Sequence, residues 1–225
     1  MNNGLMAGEQ FWRIDYGYVK KLRRDYESVK SVIEKRLEEF RSIDRQDKEK
    51  LFAELTFCVL TPQSSARRAD TAVRELSDLK LLLRGGGREV YRVLRRNGVR
   101  FPRQKARYVV MNRRLLSDGK GLTHLLGQDP GETRERLVKE VWGFGYKEAS
   151  HFLRNIGYTG IAILDRHILR CLRRLGVLVD EPNVSSRRRY MLVEQQFMSA
   201  ARMICVAPEA LDLLLWYEET GEVFK

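Results

Sequence analysis

Residues 141–170 read VWGFGYKEAS HFLRNIGYTG IAILDRHILR. A Gly-x-Gly turn, Gly143 to Gly145, precedes a helix that opens with Lys147, and a turn of this kind offers backbone N–H groups to a phosphate. Asp165 starts a second helix 18 positions after Lys147. A lysine beside such a turn can act as a nucleophile, and a carboxylate brought back to it stabilises a developing cation. The stretch therefore predicts an enzyme that holds a nucleic-acid backbone and attacks a sugar carbon.

The charge balance fits this prediction without deciding it. The chain has 225 residues and a formal net charge of +12, which suits a polyanionic partner. Many soluble proteins are basic without binding nucleic acid, so charge alone leaves both interpretations open. The sequence shows no run of about 18 apolar residues and no basic-then-apolar signal peptide. We therefore expect no membrane association and a cytoplasmic, prokaryotic protein that works at the nucleoid.

The cysteines and histidines predict neither a metal site nor a cofactor. The three cysteines, Cys58, Cys171 and Cys205, are widely spaced, whereas a zinc site needs close pairs and an iron–sulfur cluster usually takes four thiolates. The three histidines show no metal-ligand spacing either. We therefore expect the cysteines to be small buried apolar residues in helical surroundings and the chemistry to need no metal.

Helical periodicity runs through almost the whole chain. Apolar residues recur at three and four positions, as in Leu51, Leu55 and Cys58. Helix start and stop signals occur at Asp47, Thr61-Pro62, Asp129-Pro130, Ser186 and Pro208. We expect Gly85-Gly86-Gly87 to form a flexible surface loop and residues 160–164 to form a short apolar connector. No strand pattern of any length competes, so the prediction is an all-α fold of roughly nine to eleven helices.

Residues 141–147 resemble the helix-hairpin-helix of DNA repair glycosylases. The usual form of that motif is an apolar residue, Gly, an apolar residue, Gly, any residue and Lys. It uses glycine twice because the hairpin backbone takes positive φ and approaches a phosphate closely, and Phe144 would plug the hairpin into the core. Downstream, Asp165, His167 and Arg170 match the family pattern, which assigns His167 to DNA contact. Asp165 is also a good helix N-cap, so it has a structural as well as a chemical interpretation.

One branch of that superfamily fits the chain from about residue 50 to residue 225. Residues 55–66, LTFCVLTPQSSA, resemble the segment in which archaeal-type 8-oxoguanine DNA glycosylase/lyases present Gln63, Ser64 and Ser65 to the base and the strand. Those enzymes lack an iron–sulfur cluster, and they end at a lysine, here Lys225, whose terminal carboxylate enters the base pocket. The bland alternative for Lys225 is a frayed chain end.

The resemblance implies a covalent mechanism on double-stranded DNA that contains an oxidised purine. Lys147 would attack C1′, displace the damaged base and form a Schiff base, and β-elimination would then cut the strand. Asp165 would stabilise the cationic sugar. A base extruded from the duplex needs aromatic faces, and Phe101 and Trp216 are the candidates for these.

The resemblance also implies an architecture. Two helical subdomains would flank a cleft, one formed by residues 1–62 and 157–225 and the other by residues 63–156, which end in the helix-hairpin-helix. Lys147 and Asp165 would face each other across the cleft, paired arginines would cover its rim, and the protein would be a monomer.

Three alternatives stay open at this point. The hairpin would also serve a DNA-binding protein without catalysis, although the presence of both Lys147 and Asp165 counts against this. A purely helical scaffold that uses its charge for solubility is the second alternative. Among enzymes, a glycosylase for another damaged or mismatched base is the third.

Overall fold

The computed structural model describes residues 13–117 and 121–225, and within these the fold is all-α, as predicted. No residue of the described ranges lies in a strand, and residues 160–164 form a connector without regular secondary structure. The α-helices are α1 (Tyr16–Arg41), α2 (Lys48–Leu60), α3 (Ala66–Asp78), α4 (Leu81–Arg84), α5 (Gly87–Arg96), α6 (Pro102–Asn112), α7 (Leu122–Leu125), α8 (Pro130–Glu140), α9 (Tyr146–Asn155), α10 (Arg166–Arg174), α11 (Arg187–Ile204) and α12 (Pro208–Thr220). A short 3-10 turn, Arg113–Leu116, follows α6.

Side-chain caps set the helix starts that the sequence predicts. The Asp47 carboxylate accepts the backbone N–H groups of Glu49 and Lys50 at the start of α2, and Asp129 accepts that of Glu132 at the start of α8. Such caps satisfy amide groups that have no partner within the helix. The predicted helix starts at these positions are confirmed.

The predicted number of helices and the predicted glycine loop are wrong. Twelve α-helices occur in the described residues, because two of them, α4 and α7, are single turns too short to show a helical period. Gly85 closes α4, where a Cβ would lie 2.8 Å from the Leu81 side chain. Gly86 caps α5, and its N–H donates to Glu89 Oε2 at 2.8 Å. The three glycines therefore form a tight helix-to-helix joint rather than a flexible loop.

Two apolar cores divide the described chain between Ile161 and Ala162. The first core contains side chains of α2 to α9, and the second contains side chains of α1, α10, α11 and α12. Helix α2 packs with the middle of the chain, against α9. The predicted division into residues 1–62 with 157–225 and residues 63–156 stays a prediction, and its first twelve residues lie outside the described part.

Two buried ion pairs join the cores. Arg134 of α8 donates to Glu194 of α11 at 2.6 and 2.8 Å, and the same carboxylate accepts the Ala162 N–H at 2.8 Å. Arg154 of α9 lies 3.3 Å from the carboxylate of Asp212 in α12, and both side chains are almost fully buried. A buried charge without its partner is strongly destabilising, so these pairs fix how α8 and α9 sit against α11 and α12.

Candidate active site

The hairpin between α8 and α9 needs glycine at its two positions for different reasons. Gly143 has a φ of +92°, and a Cβ there would lie 2.7 Å from the Tyr108 ring. Gly145 is extended, with a φ of −107°, so the expected positive φ is wrong at this position. Instead Gly145 caps α9, its N–H donates to Glu148 Oε2 at 3.1 Å, and a Cβ would crowd that oxygen at 3.3 Å.

The side chain between the two glycines anchors the hairpin, as predicted. Phe144 is buried in the first core, and its ring lies 6.0 Å from that of Phe152. Any DNA contact at Phe144 must therefore come from its main chain. Asn112, which the sequence did not single out, holds the hairpin from α6: its amide accepts the Trp142 N–H at 2.8 Å and donates to the Trp142 carbonyl at 2.9 Å.

A cavity of about 700 Å³ lies where the two cores meet. This size falls within the range of small-molecule sites, roughly 300–1,000 Å³. Its lining includes eight of the residues that the sequence predicted for the site, namely Gln63, Ser64, Ser65, Lys147, Asp165, His167, Trp216 and Lys225. The cavity therefore brings together chain segments that are up to 162 positions apart in the sequence.

Lys147 enters the cavity from the first turn of α9. Its side chain is 25% exposed, and its amine lies 3.0 Å from Glu148 Oε1. Since the other oxygen of Glu148 holds the Gly145 N–H, this carboxylate links the hairpin backbone to the lysine amine. The amine is thus both reachable from the cavity and held near a proton acceptor.

Asp165 lines the same cavity as Lys147, from the start of α10, and its two oxygens can serve two functions. Oδ1 caps α10 by accepting the N–H groups of His167 at 2.8 Å and Ile168 at 3.0 Å. Oδ2 accepts no hydrogen bond from any residue in the described ranges. The structural and the chemical interpretations of Asp165 are therefore compatible.

The turn that carries Gln63, Ser64 and Ser65 is held by a buried lysine that the sequence gave no reason to select. The amine of Lys105 donates to the carbonyls of Leu60 and Pro62, each at 2.7 Å, and to Ser64 Oγ at 3.1 Å. Burial, and next the charge of Lys147, lower the pKa of Lys105 to about 8. The turn has Gln63 at a φ of +56°, a conformation that L residues seldom adopt without such support.

The two aromatic side chains predicted for base contact lie in different places. Trp216 lines the cavity, edge-on to the His167 ring at 5.4 Å. Phe101 does not line it: the residue is 53% exposed at the turn between α5 and α6. That turn adjoins the cavity, because the N–H of Arg100 donates to Ser64 Oγ at 2.9 Å.

The last residue of the chain is anchored by its side chain. The Lys225 amine lies 3.0 Å from Glu54 Oε2 and 3.4 Å from Asp70 Oδ1, and it stacks over the Phe57 ring at 4.5 Å. Burial would lower the pKa of this amine, but the charge and hydrogen bond of Glu54 outweigh burial and raise it. The terminal main chain is thereby fixed in the cavity wall.

Comparison with known proteins places this geometry in one family. The chain matches the sequence model of the 8-oxoguanine DNA glycosylase family, Ogg-HhH, over residues 7–206. This chain belongs to the 8-oxoguanine DNA glycosylase family. A relative from Thermotoga petrophila, named 8-oxoguanine DNA glycosylase/AP lyase, is 40% identical over 208 residues, which are 92% of this chain and 98% of that protein.

Solved structures of this glycosylase family share the fold. The crystal structure of the 8-oxoguanine DNA glycosylase of Thermotoga maritima has a TM-score of 0.86 and 39% identity, and the match covers 93% of this chain and 99% of that one. The Methanocaldococcus jannaschii 8-oxoguanine glycosylase/lyase, in complex with a 15mer DNA containing 8-oxoguanine, has a TM-score of 0.83 and 35% identity, with coverage of 93% of this chain and 100% of that one.

In residues 13–117 and 121–225, we find no helix long and apolar enough to cross a membrane.

In this family member, the residues of the cavity lining that sequence reasoning missed include three buried polar ones: His151, Arg154 and Asp212. Burial, and next the charge of Arg154, hold the pKa of His151 well below its usual value. Burial raises the pKa of Asp212 to about 6; the charge of Arg154 opposes this rise and that of Asp165 adds to it.

Helical spacing was the available signal for two of the three. His151 is four positions after Lys147 in α9, and Asp212 is four positions before Trp216 in α12. Residues four positions apart lie on the same face of a helix. Each of these two therefore follows from a residue that the sequence had already assigned to the site.

Proposed function

We propose that this glycosylase/AP lyase family member excises 8-oxoguanine from double-stranded DNA in the cavity between its two cores, with Lys147 as the nucleophile. The observation that carries the proposal is that the Lys147 amine and the Asp165 carboxylate, which belong to different cores, line one cavity. The relatives named 8-oxoguanine DNA glycosylase/AP lyase support the substrate and the reaction. The protein acts as a monomer and needs no cofactor.

The reaction uses only groups that the cavity provides. The neutral amine of Lys147 forms a bond to C1′ while the glycosidic bond breaks, and the base leaves with the bonding electrons and takes up a proton. Asp165 Oδ2 stabilises the positive charge on the sugar. Opening of the sugar ring gives a Schiff base on Lys147, and loss of a C2′ proton then expels the 3′ phosphate by β-elimination.

The lysine must shed a proton before it attacks. Glu148 lies 3.0 Å from the amine and Asp165 lines the same cavity, so two carboxylates are in place to receive that proton. A base of this kind has to be within hydrogen-bonding reach of its donor in a bound complex. Of the two carboxylates, Glu148 meets this criterion in the free protein, because its Oε1 lies 3.0 Å from the amine.

The cavity wall supplies the contacts that a flipped base needs. Trp216 offers an aromatic face, and its indole Nε1 is buried without a hydrogen-bond partner in the described residues, as is Nε2 of His151. Buried polar atoms without partners are unfavourable, so a polar ligand that satisfies them is stabilised. An 8-oxoguanine carries a donor at N7 where guanine has an acceptor, and either a backbone carbonyl near Gln63 or a group of the tail at Lys225 is the acceptor that discriminates between them.

The DNA-binding surface surrounds this cavity. The main chain of Gly143, Phe144 and Gly145 binds a phosphate at the start of α9. Gln63, Ser64 and Ser65 meet the lesion strand, as does His167 from α10. Phe101 contacts the duplex beside the cavity rather than the extruded base within it, because its ring is exposed next to Ser64.

Borohydride trapping tests the assignment of the nucleophile. Lys147→Gln should abolish the trapped adduct with an 8-oxoguanine duplex while duplex affinity stays within about threefold, because the change removes one amine of a strongly basic protein. Lys139→Gln is the matched control, since Lys139 is exposed on α8 and lies outside the cavity lining; it should trap normally. A trapped adduct with the Lys147→Gln protein would show that Lys147 is not the nucleophile.

A panel of duplexes, each with one defined lesion, tests the substrate separately. Excision should be fastest for 8-oxoguanine. Faster excision of an oxidised pyrimidine or a mismatched base overturns the substrate while leaving the lysine chemistry in place. Tight duplex binding without any excision would show instead that the chain is a DNA-binding protein without catalytic activity.

A further inference from the structure

A second cavity of about 550 Å³ lies on the outer face of α5 and α6. Its floor is apolar and is formed by half-buried side chains that include Tyr91, Val110 and Met111. Its rim carries three exposed arginines, Arg88, Arg103 and Arg107. We call this feature the α5–α6 groove.

No carboxylate of the described residues neutralises the three rim arginines of the groove. Within the described residues, Arg88 and Arg107 form no ion pair, and Arg103 lies only over the Tyr91 ring at 5.8 Å. By contrast, Arg67 and Arg114 each pair with a glutamate.

The nearest acidic side chain on these two helices is not free to fill that role. Glu89 of α5 is turned back to the helix start, where it accepts the Gly86 N–H. No other Asp or Glu occurs between residues 87 and 112. The groove thus combines an apolar floor with an uncompensated positive rim.

The groove also points away from the DNA-binding surface. On α6, Lys105 is directed to the Gln63–Ser65 turn and Asn112 to the hairpin. The groove residues Arg103, Arg107 and Val110 recur at spacings of three and four on the other side of the same helix. A ligand in the groove would leave the cavity and the hairpin accessible to DNA.

We propose that the α5–α6 groove docks an acidic peptide segment that carries one aromatic anchor. The apolar floor stabilises the anchor by removing it from water, and the arginines bind the flanking carboxylates in forked, charge-assisted hydrogen bonds. Aromatic and arginine side chains are enriched in protein interfaces for these reasons. A DNA backbone would use the arginines but would leave the apolar floor uncovered, so a peptide is the better fit. The proposal is independent of the excision chemistry.

Fluorescence anisotropy with the intact protein tests the docking site. The probe is a labelled synthetic peptide in which one phenylalanine is flanked by aspartates. Arg88→Glu and Arg107→Glu should each weaken binding about tenfold, and alanine in place of the probe's phenylalanine should weaken it by about tenfold or more. Gly87→Trp should block the groove without strain, because a Cβ at Gly87 meets nothing within 4 Å. Excision of 8-oxoguanine should be unchanged in all three variants.

Arg92→Glu is the matched control. Arg92 is an exposed arginine of the same helix that lies outside the groove lining, so this variant should bind the probe nearly as well as the parent protein. An equal loss in Arg92→Glu and Arg88→Glu would show general charge attraction and overturn the proposal. Absence of probe binding, or competition for the groove by single-stranded DNA that is stronger than by unlabelled peptide, would overturn it as well.

Discussion

Replacing Asp165 separates its two functions, because asparagine can perform only one of them. The amide oxygen of Asp165→Asn can still accept the N–H groups of His167 and Ile168, and asparagine is as good an N-cap as aspartate. The variant loses the negative charge on the oxygen that faces the cavity. Asp165→Ala loses both the charge and the cap.

The expected magnitudes follow from these contacts. Asp165→Asn should change the free energy of unfolding by less than about 0.5 kcal/mol, whereas Asp165→Ala should cost about 1 kcal/mol, or roughly 2–4 °C in Tm for a chain of this size. Single-turnover excision should fall about 10²- to 10⁴-fold in Asp165→Asn, in the range for a lost electrostatic or acid–base group. Duplex affinity should hold or rise, since a negative charge near phosphate disappears.

The assay compares thermal unfolding with single-turnover excision of 8-oxoguanine. Asp47→Asn is the control, because Asp47 caps α2 with the same two-amide geometry and lies outside the cavity; it should excise normally. If Asp165→Asn excises at nearly the rate of the parent protein, Asp165 is only a helix cap and the mechanism above is wrong.

Two further predictions concern the tail and the cavity floor. Deleting Phe224 and Lys225 should weaken 8-oxoguanine excision more than cleavage at a pre-formed abasic site, and Glu54→Gln should shift the ratio the same way by releasing the Lys225 amine; an unchanged ratio means that the tail does not read the base. The pKa of Asp212 is about 6 in the folded protein against an ordinary value of 3.8, so the folded state holds an extra proton between these values. The contribution of Asp212 to the free energy of unfolding should therefore fall by up to about 3 kcal/mol as the pH rises from about 4 to 6. A chemical-denaturation series at several pH values should show the parent protein losing stability relative to Asp212→Asn over this range; a difference between the two that does not change with pH refutes the assignment.

Local features were predictable from the sequence because their causes are local. The caps at Asp47 and Asp129 depend on residues two or three positions away, and the hairpin depends on Gly143 and its immediate neighbours. One local prediction was nevertheless wrong: Gly145 is required by its helix cap and its close contact to Glu148, not by a positive φ. The sequence shows where a glycine lies, but it does not show whether the backbone conformation or a close contact requires it.

Contacts between distant segments were not predictable. Lys105 reaches the Gln63–Ser65 turn from α6, and Glu54 holds Lys225 across 171 positions of sequence. Nothing in the composition or periodicity around these residues indicates a partner, because each looks like an ordinary charged residue of a helix. Phe101 shows the converse: the resemblance suggested an aromatic face for the extruded base, but the residue lies exposed at the turn between α5 and α6, outside the cavity lining.

The ion pairs Arg134–Glu194 and Arg154–Asp212 have a mechanical consequence. These buried ion pairs oppose relative movement of the two cores, because separating either pair would leave two unpaired charges in an apolar environment. We therefore expect the two cores to keep a fixed separation across the cavity when DNA binds. The DNA duplex rather than the protein would then deform on binding. Lesions that already weaken base stacking would be the easiest to extrude into the cavity.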